Sequence, residues 1–375
     1  MENKKKLIRV TTADISLDIL LKGQLRYLND YFEVVGVAAD TGVLQKVAER
    51  EGIRTINIPM HREISLRSDW QCLWQLVRLF RKEKPDIVHT NTPKGSLLSM
   101  IAAKIAKVPH RIYLVTGLRY QGTSGLFRWM LQTMERITCF CATKVIPEGN
   151  GVKAILLKDH ITRKPLMLVH NGNINGIDTD YFSAEQVTAQ HADIFTFIFI
   201  GRIVGDKGMN ELADAIRQLK EDGKQFKVIL VGNFETELDP LQGDNETSLR
   251  TAEEVEFVGY QKDVRPFLAQ ADALVFPSYR EGFPNVVLQA GSMGLASIVT
   301  NISGCNEIIK DGLNGRIIQP RNTQALYHTM RYFIEHPAEV RRMAGNARGV
   351  VKEKFEQKDV WRALLETYKE TVEKK

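Results

Sequence analysis

Cysteine is sparse in this 375-residue chain. Only Cys139 and Cys141 of the four, with Cys72 and Cys305, are neighbours, and their spacing is too tight for an ordinary zinc pair. That scarcity excludes a disulfide-stapled scaffold and points to buried thiols in a reducing cytosol. Long apolar runs are also missing: Leu97 to Val108 is broken by Lys104 and Lys107, well short of the roughly 18 residues needed to span a bilayer. An integral membrane protein is excluded. Met1 to Lys6 carries three lysines but leads into a short strand pattern rather than the apolar core of an export signal, so no export is expected. The first strand is not followed by Gly-x-Gly-x-x-Gly or by an acidic ribose ligand, which disfavours a nicotinamide-dependent dehydrogenase. No His, Cys and Asp cluster has a zinc spacing, and Asp178-Thr179-Asp180 falls in a turn-rich segment rather than at a strand end. No metal is expected.

The charge that is present, +6 net, suits nucleic acid, anionic lipid or phosphorylated small molecules. The basic residues are dispersed and no nucleic-acid module is recognisable, so nucleic acid is not an expected partner. The length favours two domains. Apolar runs at Leu7–Thr11, Phe32–Ala38, Arg54–Ile58, Asp86–Thr90 and Arg111–Thr116 read as buried strands, with helix-length segments between most of them. A second series follows at Phe195–Gly201, Lys227–Gly232, Val255–Val258, Ala273–Pro277, Ser297–Thr300 and Gly315–Gln319. The alternation predicts an α/β protein with two doubly wound halves. The junction is placed in the Gly- and Asn-rich stretch His170 to Asp178, giving domains 1–172 and 173–356. A final helix over 357–375 carries Val360, Trp361, Leu364, Leu365 and Tyr368 at helical spacing, and docking on the first domain would cover that face.

Two segments carry chemistry. In Gly201-Arg202-Ile203-Val204-Gly205-Asp206-Lys207-Gly208 a strand ends and a helix begins near Met209. Such edges of open α/β sheets are where ligands sit. Glycine permits close approach of backbone to phosphate, while Arg202 offers a planar fork and Lys207 a compact charge. A glycine-rich turn with solvated basic residues accounts for this octapeptide taken alone. In Ser278-Tyr279-Arg280-Glu281-Gly282-Phe283-Pro284-Asn285 another strand end leads into a helix containing Gln289. There Glu281 can accept from sugar hydroxyls and Gln289 can hydrogen-bond ribose; a loop charge and a helix-surface amide are the plain structural alternatives.

Together these segments, with Gly304, Glu307-Ile308-Ile309-Lys310-Asp311-Gly312, Asn314-Gly315 and Asn175-Gly176-Ile177-Asp178 with Phe182, resemble the retaining glycosyltransferases of family 4 over nearly the whole chain. The resemblance implies the GT-B fold, α/β with two Rossmann-like domains facing across a cleft: an N-terminal acceptor domain and a C-terminal nucleotide-sugar domain. It implies that Arg202 and Lys207 hold the donor diphosphate, that Glu281 lies beside the donor sugar, and that Gly282, Phe283, Pro284 and Asn285 form the loop whose backbone faces it. Gly201 and Gly208 accompany the basic pair, and Tyr260 falls where the family contacts the nucleobase, though a packed tyrosine accounts for it equally. Two positions depart: Gln289 replaces the family's second acid, eight residues after the first, and Thr116-Gly117 stands where many members carry a histidine. Both are kept as donor-side candidates.

Thr11-Thr12-Ala13-Asp14 with Leu21-Lys22-Gly23-Gln24-Leu25 resembles a branch acting in bacterial surface-polysaccharide assembly. That implies a nucleotide-sugar donor, a glycan or polyprenyl-diphosphate-linked acceptor, no cofactor, and a cytoplasmic protein working at the inner membrane face. Arg119–Gly125 looks mobile, and Leu126 to Ile137 mixes aromatic and basic residues suited to a peripheral membrane contact; a partly buried amphipathic helix is the alternative. Ser68 to Lys84, with Trp70 and Trp74, is expected to pack in the core. A sugar-nucleotide epimerase of GT-B fold and a non-catalytic polyanion binder are the rival readings.

Overall fold

The computed structural model describes residues 4–61, 65–188, 193–235, 237 and 239–373. The chain forms two compact units, residues 1–175 with 358–375, and residues 176–357. The first holds a six-stranded parallel sheet of β1 (Lys6–Ala13), β2 (Glu33–Ala39), β3 (Arg54–Asn57), β4 (Ile87–Thr90), β5 (His110–Val115) and β6 (Lys144–Pro147), in the order β3-β2-β1-β4-β5-β6. In the second, β7 (Thr196–Ile200), β8 (Lys227–Val231), β9 (Val255–Gly259), β10 (Ala273–Phe276), β11 (Ala296–Thr300) and β12 (Gly315–Ile318) are ordered β12-β11-β10-β7-β8-β9. Read from the other edge this is the same order, so both units are doubly wound with a switch point, between β1 and β4 and between β7 and β10.

The inner strands are largely apolar because both faces of each sheet are covered there, while the edge strands β3 and β9 carry exposed and polar residues. In the first unit Leu7, Ile87, Ile112, Leu114 and Ile146 face one core cluster, while Ile8, Val10, Val88, Tyr113, Val115 and Val145 face another. The helix Gln357–Glu373 closes the first of these with Leu364, Leu365 and Tyr368. Tyr368 accepts a hydrogen bond from the buried Arg9 guanidinium at 2.9 Å, and the Trp361 indole donates to Asn175 O at 2.9 Å. The four cysteines are free and buried. Among the described residues no helix is long and apolar enough to cross a membrane.

Two local points differ from the sequence reading. β6 (Lys144–Pro147) goes unannounced in sequence. Arg119–Gly122 forms a 3-10 turn in which Tyr120 is fully buried. In the helix Leu66–Glu83, Cys72, Leu76, Val77 and Phe80 form the core stripe, whereas Trp70 and Trp74 lie on the other side and are 61% and 37% exposed. They meet edge to face with centroids 5.7 Å apart.

Candidate active site

The second unit assembles its polar residues where the strand order reverses. β7 and β10 are hydrogen-bonded neighbours, so the loops after them, 201–208 and 277–284, leave the sheet side by side at its carboxyl edge. The crossing is close. Gly208 has φ +73°, and a Cβ there would stand 2.2 Å from Pro277 O; only glycine lets the two loops touch. Tyr279 N donates to Asp206 O at 2.9 Å, and Arg280 Nη2 pairs with Asp206 Oδ2 at 2.6 Å. A third loop supports the second: a Cβ on Gly304 (φ +76°) would lie 2.5 Å from Gly282 O and 2.7 Å from Phe283 Cα.

On this frame Lys207 forms an ion pair with Glu281, the two side chains being 16% and 17% exposed. Ser278 Oγ donates to Glu281 Oε1 at 3.0 Å, and Thr300 Oγ1 donates to Ser278 O, so the carboxylate is oriented from beneath. Cys305 lies wholly buried near this pair, and burial pushes its thiol well above its usual range. Tyr279 OH donates to the Glu211 carboxylate, and burial with that neighbour raises its pKa. Arg202, farther out, pairs with Glu235 at 3.1 Å, with exposures of 47% and 34%.

The remaining donor-side candidates divide by what their side chains do. Phe283 is buried and packs on Phe355 with centroids 5.3 Å apart, and Pro284 is buried beside it; only backbone of 282–284 is available to a ligand. Pro284 precedes the helix Asn285–Ser292 as its N-cap residue, one position earlier than the first turn. Gln289 sits in that helix, partly buried. Gly201 directly follows β7, its amide donating to Val231 O at 2.9 Å. Tyr260 is 64% exposed just past β9, its amide held by Asn233 Oδ1 at 3.2 Å, so it is not a packed tyrosine. Thr116 and Gly117 belong to the first unit, after β5, where Thr116 Oγ1 donates to Asn91 O at 3.0 Å. Asp178 Oδ1 accepts from the amides of Asp180 and Tyr181, which makes this Asp-x-Asp a turn element. Among the described residues no group of three or more His, Cys, Asp or Glu is arranged to hold a metal.

Sequence reading did not single out Glu235, Asp239, Arg280 or Glu211. Asp239 is the loop organiser: its carboxylate accepts from Asp206 N and its carbonyl from Gly205 N at 3.2 Å. Glu235 was findable, since it lies four residues past a strand adjacent to β7.

Comparison with known proteins supplies the class. A family model described as "Glycosyl transferases group 1" matches residues 194–336, and one described as "Glycosyl transferase 4-like domain" matches residues 25–172. The chain is 30% identical over 375 residues to the capsular polysaccharide biosynthesis glycosyltransferase CapM of Staphylococcus aureus, covering 98% of this chain and 97% of that one. It is 27% identical over 336 residues to an Escherichia coli UDP-Gal:alpha-D-GlcNAc-diphosphoundecaprenol alpha-1,3-galactosyltransferase, covering 83% and 84%. Among solved structures, a glycosyltransferase from Rickettsia africae superposes with a TM-score of 0.80 at 20% identity over 100% of both chains. Anabaena HepE, solved with UDP and glucose, does so at 0.80 and 18% over 98% and 100%. Fold and site thus define a glycosyltransferase of the GT-B class. Within that class the chain belongs to family 4, in its surface-polysaccharide branch.

Proposed function

We propose that this glycosyltransferase moves a hexosyl or N-acetylhexosaminyl unit from a UDP-sugar to a polyprenyl-diphosphate-linked glycan, with retention at the anomeric carbon and without a metal. The observation that carries the reading is the meeting of Lys207, from the loop after β7, with Glu281, from the loop after β10, at the switch point of the second sheet. A cation beside a sugar-facing carboxylate suits a bond that breaks between an anomeric carbon and a phosphate oxygen. Charge accumulates on the departing diphosphate, where Lys207 and Arg202 stabilise it in place of a divalent ion. Glu281, oriented by Ser278, accepts from the sugar hydroxyls. The departing phosphate oxygen itself takes the acceptor's proton, which fits a site with no evident general base. UDP and a diphosphoundecaprenol acceptor are supported by the name of the Escherichia coli relative, a UDP-Gal:alpha-D-GlcNAc-diphosphoundecaprenol alpha-1,3-galactosyltransferase.

The acceptor implies work at the inner face of the cytoplasmic membrane, and the first unit has a surface suited to it. Crossover helices of a parallel sheet start at the carboxyl edge of the strands. The helices Leu66–Glu83 and Gly125–Cys141 therefore begin on one edge, and both pack their inner faces into the same core cluster. Their first turns expose Leu66 (84%), Trp70 (61%), Leu126 (79%) and Trp129 (60%). The second helix carries Arg128 and Arg136, while its lone acid, Glu135, is buried. An apolar tip with a basic flank suits a peripheral contact with anionic lipid.

The test is transfer from a panel of UDP-sugars to a synthetic polyprenyl-diphosphate glycan, with the product linkage read by NMR. An inverted anomer, or product formed without acceptor as an epimerase would give, sinks the proposal.

A further inference from the structure

We propose that Glu235 is an exchangeable counter-ion for Arg202: its carboxylate occupies the guanidinium until the donor's diphosphate displaces it, and recaptures it when the nucleoside diphosphate leaves. This inference rests on the nucleotide-donor reading above.

The two cations of the site are held differently. Lys207 is mostly buried against Glu281, whose carboxylate also accepts from Ser278, so that pair is embedded. Arg202 and Glu235 meet at 3.1 Å while 47% and 34% exposed. Exposed pairs of this kind contribute little to stability, which makes this the contact that a multiply charged phosphate can replace. The pairing is built into the backbone. Ile203 N donates to Asn233 O at 2.8 Å and Glu235 N to Ile203 O at 3.4 Å, so the loops after β7 and β8 are zipped together directly beside Arg202. Glu235 is thereby kept within reach whether or not Arg202 is engaged. An arginine fork binds phosphate in two-point geometry, and a carboxylate is its natural competitor. Two effects follow from one charge: Glu235 opposes donor binding by competition and by repulsion, and it hastens release of the spent nucleotide.

The experiment is titration calorimetry of the full-length protein with UDP. Glu235→Gln keeps the shape and removes the charge at an exposed position. The expected result is a Kd for UDP about three- to tenfold lower than the parent's at low salt, the gain shrinking near 1 M salt, where the screening length is about 3 Å. In an Arg202→Gln background the same substitution has a clearly smaller effect, because the two residues act as a pair. In steady state the KM for donor and the inhibition constant of UDP fall together. Unchanged or weaker UDP binding by Glu235→Gln, with the parent binding normally, overturns this inference alone; so does an equal gain in the Arg202→Gln background. A parent that binds no nucleoside diphosphate overturns both this inference and the donor reading.

Discussion

Lys207 and Glu281, 74 residues apart in sequence, form an ion pair over a hydroxyl ladder in which Ser278 donates to Glu281 and Thr300 donates to the Ser278 carbonyl. Each residue lies in the loop after one of two adjacent strands, β7 and β10, and each loop is braced by a glycine at positive φ, Gly208 or Gly304. The pair is thus a product of sheet order.

Removal of the cation tests its assigned role. Lys207→Ala should lower kcat/KM by about 10²- to 10³-fold, the usual loss when one donor to a developing oxyanion is deleted. Lys207→Arg keeps the charge in a bulkier fork and should recover only part. Activity of Lys207→Ala within tenfold of the parent removes the residue from the leaving-group role.

Metal independence gives a second expectation. Transfer should be unchanged by EDTA and by added Mg²⁺ or Mn²⁺, because the leaving charge is met by fixed side chains. A rate that collapses in chelator and returns with Mn²⁺ refutes this.

Gly304→Ala addresses the support of the sugar-facing loop. With φ at +76° and backbone atoms of Gly282 and Phe283 inside 3 Å of the new methyl, the loop has to shift. The expected cost is about 1–3 kcal/mol of stability, with a loss of UDP-sugar affinity, read by denaturant unfolding and calorimetry. Parent-like values in both measurements would mean the loop is slack.

The apolar edge of the first unit can be tested without touching the donor site. A large apolar side chain buried from water contributes about 1.5–3 kcal/mol, so Leu126→Ser with Trp129→Ala should weaken binding to phosphatidylglycerol vesicles by about 100-fold or more. Turnover with a short-chain, water-soluble acceptor should stay at the parent level. Equal vesicle binding by the double variant excludes this surface.

Buried Glu135 makes stability depend on pH. Burial raises its carboxyl from 4.5 to about 7, although Tyr113 OH donates to it at 2.7 Å. The folded state therefore keeps a proton that the unfolded chain releases. That preference is fully present below pH 4.5 and lost as pH rises to about 7. The contribution is on the order of 3 kcal/mol. Glu135→Gln should flatten stability over this window and leave the protein more stable than the parent at pH 8. A parent curve of unchanged slope in the variant rules out Glu135 as the source.

Much of this was legible in the residues themselves. Eleven of the twelve strands coincide with runs read from the sequence: the inner ones are largely apolar because both their faces are buried, and the partly exposed edge strands β3 and β9 stand out by their place in the alternation. β6 (Lys144–Pro147) was not read from the sequence. The basic pair and Glu281 were visible as residue types at strand ends. Phe283 and Pro284 are buried, which agrees with the resemblance's implication that this loop faces the sugar with its backbone.

Local chemistry alone therefore determined the two doubly wound halves, the strand-end positions of Arg202, Lys207 and Glu281, and the glycines between them, because burial and backbone freedom are properties of short segments. Which loops become neighbours was decided by tertiary structure. The order β12-β11-β10-β7-β8-β9 sets β10 and β8 on either side of β7. That order gives Lys207 the partner Glu281 and Arg202 the partner Glu235, since contacts between residues far apart in the chain exist only once the sheet has formed.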